Sequence, residues 1–157
     1  VSVTMICCRV PLPARSSVFG KVSLTPITLC SVNETAVQVL TTGLVRLGLL
    51  KGKVPALVKS SAYRRFYMHK TGHWLGLDVH DAGEYKREGN WRTLKPGMVL
   101  TVEPGCYIRP DDKVPRTFWN IGFRIEDDVL VTASGNEVLT HATPKAPNDI
   151  EALVGAG

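Results

Sequence analysis

The chain has 157 residues, of which 44% are hydrophobic and 21% charged, and its formal net charge is +5. These values are typical of a globular domain and exclude a low-complexity chain. No apolar run approaches the ~20 residues that a membrane-spanning helix needs, so we expect no membrane partner. Residues 1–65 hold nine basic residues and a single acid, but the bases are scattered and form no nucleic-acid-binding motif. We therefore expect no nucleic-acid partner.

The four cysteines are Cys7, Cys8, Cys30 and Cys106, and they form neither a CxxC pair nor a zinc-binding spacing. A secretory signal has a basic segment before its apolar run, and the short apolar run near residue 5 has none. We therefore predict four reduced thiols in a cytoplasmic protein.

Residues 1–29 contain three prolines and no clear hydrophobic period, and we predict a leader without a fold of its own. The first helix is predicted from Ser31, because "SVNE" has the form of a capping box in which Ser31 and Glu34 cap each other's backbone. Gly48 marks the end of this helix. A second, shorter helix is predicted around residues 55–62. The first helix carries an apolar stripe at helical spacing, made of Val37, Leu40, Leu44 and Leu47.

Strands are predicted in the second half of the chain. "PGMVLTVEPG" is an apolar strand between Pro-Gly turns, and "GFRIEDDVLVTASGNEVLT" gives three short strands with breaks at Asp127-Asp128 and at "SGN". "PNDIEALV" predicts a terminal helix with Asn148 as its cap. A helix followed by a mostly antiparallel sheet indicates an α+β fold.

Two acids lie at the ends of apolar strands, Glu103 after "MVLTV" and Glu126 after "FRI". A buried carboxylate is costly unless it is paired or binds a metal. Two carboxylates on separate strands, together with a histidine, suit a hard or borderline metal ion. The alternative is that Glu103 pairs with an arginine such as Arg124 and that Glu126 caps a hairpin.

The segment "GHWLGLDVHDAGEY" holds His73 and His80. On a straight strand their odd spacing would place them on opposite faces, although Gly72 and Gly76 make a straight strand doubtful. The spacing allows one histidine to bind metal while the other faces a substrate. The chain has no HExxH and no GxSxG motif, which excludes a thermolysin-type zinc site and a serine-hydrolase elbow.

Three segments, "FYMHKTGHWLGLDVHDAG", "LKPGMVLTVEPGCYI" and "GFRIEDDVLVTASGNEVLT", resemble the Xaa-Pro aminopeptidases and their prolidase relatives, in the same order. The resemblance runs from about Cys30 to the C-terminus. It implies that residues 30–157 are part of a metallopeptidase catalytic domain, the C-terminal half of a pita-bread fold. The implied reaction releases the N-terminal residue from peptides with proline in second position.

The resemblance also implies roles for individual residues. The metal ligands would be His73, Glu103 and Glu126, of which Glu126 would bridge two ions. The implied ions are two manganese ions, with zinc or cobalt as alternatives. A homo-oligomer is a further expectation. The implied catalytic residues are His80, His69 and Arg124, and Tyr107 would line the substrate pocket.

The chain departs from this family upstream of the first helix. The family supplies two further aspartate ligands there, whereas this chain has no aspartate before Asp78 and no acid before Glu34. We therefore expect a C-terminal portion of such an enzyme, preceded by a leader from a frame-shifted or misassigned coding region. Two alternatives remain open, namely a non-catalytic fragment or pseudo-enzyme with an incomplete site, and a single-metal hydrolase.

Overall fold

The computed structural model describes residues 27–155. The long first helix, α1 (Leu29–Arg46), begins after Thr28, whose hydroxyl accepts the Ser31 N–H at 3.2 Å while the Thr28 N–H donates to the Ser31 hydroxyl at 2.9 Å. The capping box therefore lies one turn earlier than predicted, and the prediction of Ser31 as N-cap was wrong. Glu34 lies inside the helix, where its carboxylate accepts a hydrogen bond from the Cys30 thiol. The earlier start adds Leu29, Cys30 and Ser31 to the helix.

Gly48 follows the last turn of α1 with a φ of +75°, a left-handed conformation that favours glycine, so the predicted end is confirmed. The predicted second helix is α2 (Val54–Lys59), followed by a 3-10 turn (Ala62–Arg65). Both pack against α1. Apart from the start of α1, the helical part of the fold thus matches its prediction.

The strands form three small antiparallel sheets. One pairs β1 (Lys86–Arg87) with β2 (Asn90–Trp91), and another pairs β4 (Gly105–Ile108) with β5 (Ile121–Arg124). The third has the order β3–β6–β7 and consists of β3 (Val99–Val102), β6 (Asp127–Thr132) and β7 (Gly135–Val138). The predicted α+β class is confirmed.

The first break in the predicted strand triplet was misplaced. Asp127 and Asp128 are the first residues of β6, paired with Val102 and Thr101, and the break falls at residues 125–126. An acidic pair is tolerated in this strand because Asp127 accepts hydrogen bonds from the Thr140 hydroxyl and Lys145. The second break, at residues 133–134, lies where "SGN" begins and agrees with the prediction.

The terminal helix α3 (Pro147–Val154) begins after Ala146, and no side chain caps its amino end. Asn148 lies within the helix, so its predicted role as cap was wrong. Pro147 accounts for this start, since proline is favoured at the first helical position, where no N–H is needed. None of the side chains of α3 is buried.

Two buried clusters flank the region where β3 leads into β4. One lies around Leu44, Phe66 and Ile108, and the other around Val32, Leu100 and Val129. α1 contributes to both clusters, through Leu44 and Val32. β3 contributes to one cluster and β4 to the other, and Glu103 lies in the link between these two strands.

No helix within residues 27–155 is long and apolar enough to cross a membrane. Among residues 27–155, Cys30 and Cys106 form no disulfide. Cys7, Cys8 and most of the proposed leader lie outside the described residues, and the boundary at residue 30 stays a prediction.

Candidate metal centre

The segment 71–75 lies antiparallel beside β3. The Leu75 N–H donates to the Val99 carbonyl (3.2 Å), the Thr101 N–H to the His73 carbonyl (2.9 Å), and the Glu103 N–H to the Thr71 carbonyl (2.6 Å). A Cβ added at residue 72 would lie 1.9 Å from the Thr101 carbonyl oxygen, so only glycine allows this approach. The pairing brings His73 beside Glu103.

A hydrogen-bond chain ties the same segment to α1. The Tyr67 hydroxyl donates to Thr71 Oγ1 at 2.5 Å, and the Thr71 hydroxyl donates to Asn33 Oδ1 at 3.0 Å. Tyr67 and Thr71 are 1% and 2% exposed, so their hydroxyl groups depend on these partners. Burial raises the pKa of Tyr67, which keeps its hydroxyl protonated and able to donate. α1 thereby fixes the chain just ahead of His73.

His73, Glu103 and Glu126 form the cluster that could hold a metal ion, with one ligand atom from each lying within 4.8 Å of the others. His73 comes from the segment beside β3, Glu103 from the end of β3, and Glu126 from the link between β5 and β6. Glu103 is buried, His73 is half-buried and Glu126 is exposed. The cluster thus offers one imidazole and two carboxylates, open to solvent on one side.

In its neutral form, His73 would leave the lone pair of Nε2 free for a metal. Its Nδ1 lies 2.9 Å from the Trp74 carbonyl, and a carbonyl can only accept, so Nδ1 carries the proton. In the neutral ring Nε2 is then an acceptor, and it lies 3.3 Å from Glu103 Oε1, another acceptor. Two facing acceptors require a cation or a proton between them. A ring whose other nitrogen donates to a carbonyl is also the usual state of a metal-binding histidine, so the residues fit a divalent ion.

Glu103 divides its two oxygens between different partners. Oε1 faces His73, and Oε2 lies 3.1 Å from Nη1 of Arg124. The ion pair considered as an alternative to metal binding is therefore present together with the candidate metal cluster. The hydrogen bond that Arg124 donates to Tyr107 is the main cause that raises the pKa of this arginine, with nearby carboxylates adding to it.

His69 joins the group through Tyr107. Its Nδ1 lies 2.7 Å from the Lys70 carbonyl and so carries the proton, which makes Nε2 the acceptor of the Tyr107 hydroxyl at 3.1 Å. The same hydroxyl oxygen accepts Nε–H of Arg124 at 3.0 Å. His69, Tyr107 and Arg124 are therefore held in one network that ends on Glu103.

His80 lies in a turn rather than on a strand. The Asp81 N–H donates to the Trp74 carbonyl at 3.1 Å, which folds the chain back on itself. As a result the rings of His73 and His80 lie close together, with centroids 4.3 Å apart, instead of on opposite faces. His80 is exposed, so its imidazole can contact a bound molecule.

An open cavity of about 450 Å³ collects most of these residues. Its wall includes residues to which the sequence assigned no role in the site, namely Cys30, Asn33, Tyr85 and Trp91. Tyr107, predicted to line the substrate pocket, is not part of this wall and contacts it through His69 and Arg124. Tyr85 and Trp91 belong to no recognisable sequence motif. They come together in the cavity wall only when the β1–β2 hairpin forms. The predicted site residues in the cavity wall are His69, His73, His80, Glu103 and Arg124.

Comparison with known proteins gives a consistent result. Residues 19–133 match metallopeptidase family M24. The Xaa-Pro aminopeptidase of Escherichia coli (strain K12) is 52% identical over 128 residues, 82% of this chain and 29% of that protein. The Xaa-Pro aminopeptidase of Haemophilus influenzae is 53% identical over 122 residues, 78% of this chain and 28% of that protein. The solved structure of Pseudomonas aeruginosa aminopeptidase PepP matches with a TM-score of 0.76 at 57% identity, over 80% of this chain and 28% of that one.

The chain therefore spans less than a third of the length of these relatives. Over that part, α1 and the antiparallel strands reproduce the fold of the aminopeptidases, which confirms the predicted pita-bread architecture. The family match covers most of the chain and includes His73, Glu103 and Glu126. The chain belongs to metallopeptidase family M24.

Proposed function

We propose that this chain is part of the catalytic domain of a metal-dependent aminopeptidase that releases the N-terminal residue from peptides with proline in second position. The observation that carries the proposal is the cluster of His73, Glu103 and Glu126, in which Nε2 of His73 lies 3.3 Å from Oε1 of Glu103. The names of the relatives, Xaa-Pro aminopeptidases, support the substrate class. We further propose a cytoplasmic location and self-association.

His73, Glu103 and Glu126 would hold divalent ions, for which we propose manganese, with zinc and cobalt as alternatives that the same ligands accept. Bound ions would polarise the scissile carbonyl and lower the pKa of a bound water. Arg124 neutralises part of the negative charge of Glu103, which keeps two carboxylates tolerable in a small volume.

The other residues would act on the peptide. The exposed imidazole of His80 beside His73 can donate to an oxygen that gains negative charge during hydrolysis. His69, held by Tyr107, presents its ring at the cavity wall and can position the peptide next to the scissile bond. Tyr85 and Trp91 give the wall an aromatic side that suits the apolar ring of proline.

A second candidate function is a non-catalytic fragment with an incomplete metal site. It is favoured by one observation: within residues 27–155 the candidate cluster holds three ligand groups, and the resemblance implies two further aspartates. Such a chain would bind one ion weakly and show no turnover. Three protein ligands are sufficient for a catalytic zinc ion, so a single-metal hydrolase is the third alternative.

The test measures metal content and hydrolysis of an Xaa-Pro peptide on the same purified sample, with added manganese. Glu103→Gln removes one candidate ligand charge, and Glu137→Gln, at an exposed position in β7, is the matched control. Metal binding and turnover that Glu103→Gln abolishes and Glu137→Gln retains would support the aminopeptidase. Metal binding without turnover would favour the non-catalytic fragment, and no difference between the two variants would exclude this site.

A further inference from the structure

Thr101 forms hydrogen bonds with two candidate ligands of the metal centre, His73 and Glu103. It lies in β3 with 1% of its surface exposed. Its Oγ1 accepts the backbone N–H of His73 at 3.1 Å and lies 3.2 Å from Glu103 Oε1. One buried hydroxyl thus links two candidate ligands without being a ligand itself.

The backbone pairing explains why this hydroxyl is needed. In a regular antiparallel pair the His73 N–H would donate to the Thr101 carbonyl, since the Thr101 N–H already donates to the His73 carbonyl. Here Gly72 packs against that carbonyl, and the N–H turns to the Thr101 side chain instead. A buried N–H without a partner would be costly, so the threonine side chain replaces a missing backbone acceptor.

The direction of the second hydrogen bond follows from the first. Because Oγ1 accepts from His73, the single hydroxyl proton is free to point elsewhere, and the carboxylate of Glu103 can only accept. The proton therefore goes to Oε1, the oxygen that faces Nε2 of His73. With Arg124 holding Oε2, both oxygens of Glu103 are fixed in direction.

We propose that Thr101 is a positioning residue of the metal centre, whose hydroxyl aligns Oε1 of Glu103 and the backbone of His73 for a divalent ion. The inference rests on the proposed metal site and adds a residue to its supporting shell. Residues that orient metal ligands typically contribute about 10- to 100-fold in metal affinity. Thr101→Val, which keeps the shape and removes the hydroxyl, should therefore weaken metal binding by about that factor. Thr101→Ser should restore most of it.

A matched control is available in α1. Thr41 is also fully buried, and its hydroxyl donates to the Val37 carbonyl at 2.6 Å, away from the metal cluster. Thr41→Val removes an equally buried hydroxyl and should lower stability while leaving metal affinity unchanged. The comparison separates a role in the site from the general cost of losing a buried hydrogen bond.

The experiment titrates the full chain and its variants with zinc, and with cobalt to follow the absorption of the bound ion, alongside urea unfolding. Metal affinity that falls in Thr101→Val, recovers in Thr101→Ser and is unchanged in Thr41→Val supports the proposal. Equal affinity of Thr101→Val and the unaltered chain overturns the role of Thr101 and leaves the metal site standing. An unaltered chain that binds no ion overturns both. If Thr101→Val does not fold, Thr101→Ala, which also removes the hydroxyl, is titrated with the same expected direction.

Discussion

The Nε of Arg124 donates a hydrogen bond of 3.0 Å to the hydroxyl of Tyr107 across the β4–β5 pair. The two residues are diagonal neighbours, since Tyr107 pairs with Gly122 and Arg124 with Gly105. A Cβ at Gly105 would lie 2.6 Å from the tyrosine hydroxyl, and one at Gly122 would lie 3.3 Å from its ring. The two glycines therefore make the space in which the tyrosine ring reaches Arg124.

Replacing Tyr107 with phenylalanine should weaken ligand binding rather than folding. The change removes the hydroxyl that accepts the Arg124 Nε–H and donates to His69. Arg124 and His69 both line the cavity. We expect the affinity for a proline-containing dipeptide, measured with saturating manganese, to fall about tenfold, as for the loss of one or two hydrogen bonds. Tyr63→Phe, in the neighbouring aromatic group, should bind as the unaltered chain does. Equal loss in both variants would contradict a specific role for Tyr107.

Two glycine-to-alanine changes should have opposite effects on stability. Gly72→Ala places a Cβ 1.9 Å from the Thr101 carbonyl oxygen, so the segment beside β3 must move. We expect a loss of about 2 kcal/mol or more in the free energy of unfolding, with weaker metal binding as His73 shifts. Gly43, inside α1, has nothing within 4 Å of such a Cβ, and Gly43→Ala should gain about 0.5–1 kcal/mol. Urea unfolding of both variants measures the difference, and a stable Gly72→Ala would disprove the close approach.

The buried thiol of Cys106 should make the protein less stable in alkali. Burial raises the pKa of Cys106 to about 11 from an ordinary value of 9.0. Above the lower value the unfolded chain loses the thiol proton while the folded chain keeps it, so stability falls as pH rises through this window. The loss from this group should reach about 1 kcal/mol by about pH 10.

Cys106→Ala isolates the contribution of that thiol. Comparing the unfolding free energy of the two proteins from about pH 8 to about pH 10 cancels the effect of the other titrating groups. The unaltered chain should lose more stability over this range than the variant. Parallel pH curves would show that Cys106 keeps an ordinary pKa in the folded chain.

Lys145 should stabilise the junction between β6 and the segment that follows β7. Its Nζ lies 2.9 Å from Asp127 Oδ1 and donates to the carbonyls of Thr140 (2.8 Å) and Thr143 (3.0 Å). Lys145→Met should cost about 2 kcal/mol, because a partly buried aspartate and two carbonyls lose a charged donor. Lys113→Met, at an exposed position, is the control and should change stability by less than about 0.5 kcal/mol. Thermal unfolding of the two variants provides the comparison.

Local sequence signals correctly predicted those helix and strand boundaries that are set by residues within the element itself. Gly48 ends α1 because its left-handed conformation is a property of glycine, and "MVLTV" forms β3 because its apolar residues are buried. The start of α1 was misplaced because Thr28 and Ser31 can both act as caps, and in the structure Ser31 is the N3 partner of Thr28 rather than the cap itself. The break at Asp127 was misplaced because Lys145, its partner, lies far along the chain.

The candidate site was only partly predictable for the same physical reason. Acids at the ends of apolar strands pointed to Glu103 and Glu126, and the resemblance supplied His73 as a third ligand. Their roles in binding and catalysis stay predictions. Thr101 shares a face with Glu103 by the two-residue period of a strand, which is a signal that could have identified it. Tyr85 and Trp91 depend on how the β1–β2 hairpin packs, which no local pattern encodes.

The three candidate ligands come from three separate segments of the chain, unlike the two histidines of a single-helix motif. An unfolded chain could not gather them, so an ion held by this cluster would bind only the native state. Each tenfold rise in free metal above its dissociation constant would then add about 1.4 kcal/mol to stability, and a chelator would lower the unfolding temperature. During synthesis the complete cluster could form only after Glu126 has been made. Metal binding would thus report that these three segments of the chain have come together.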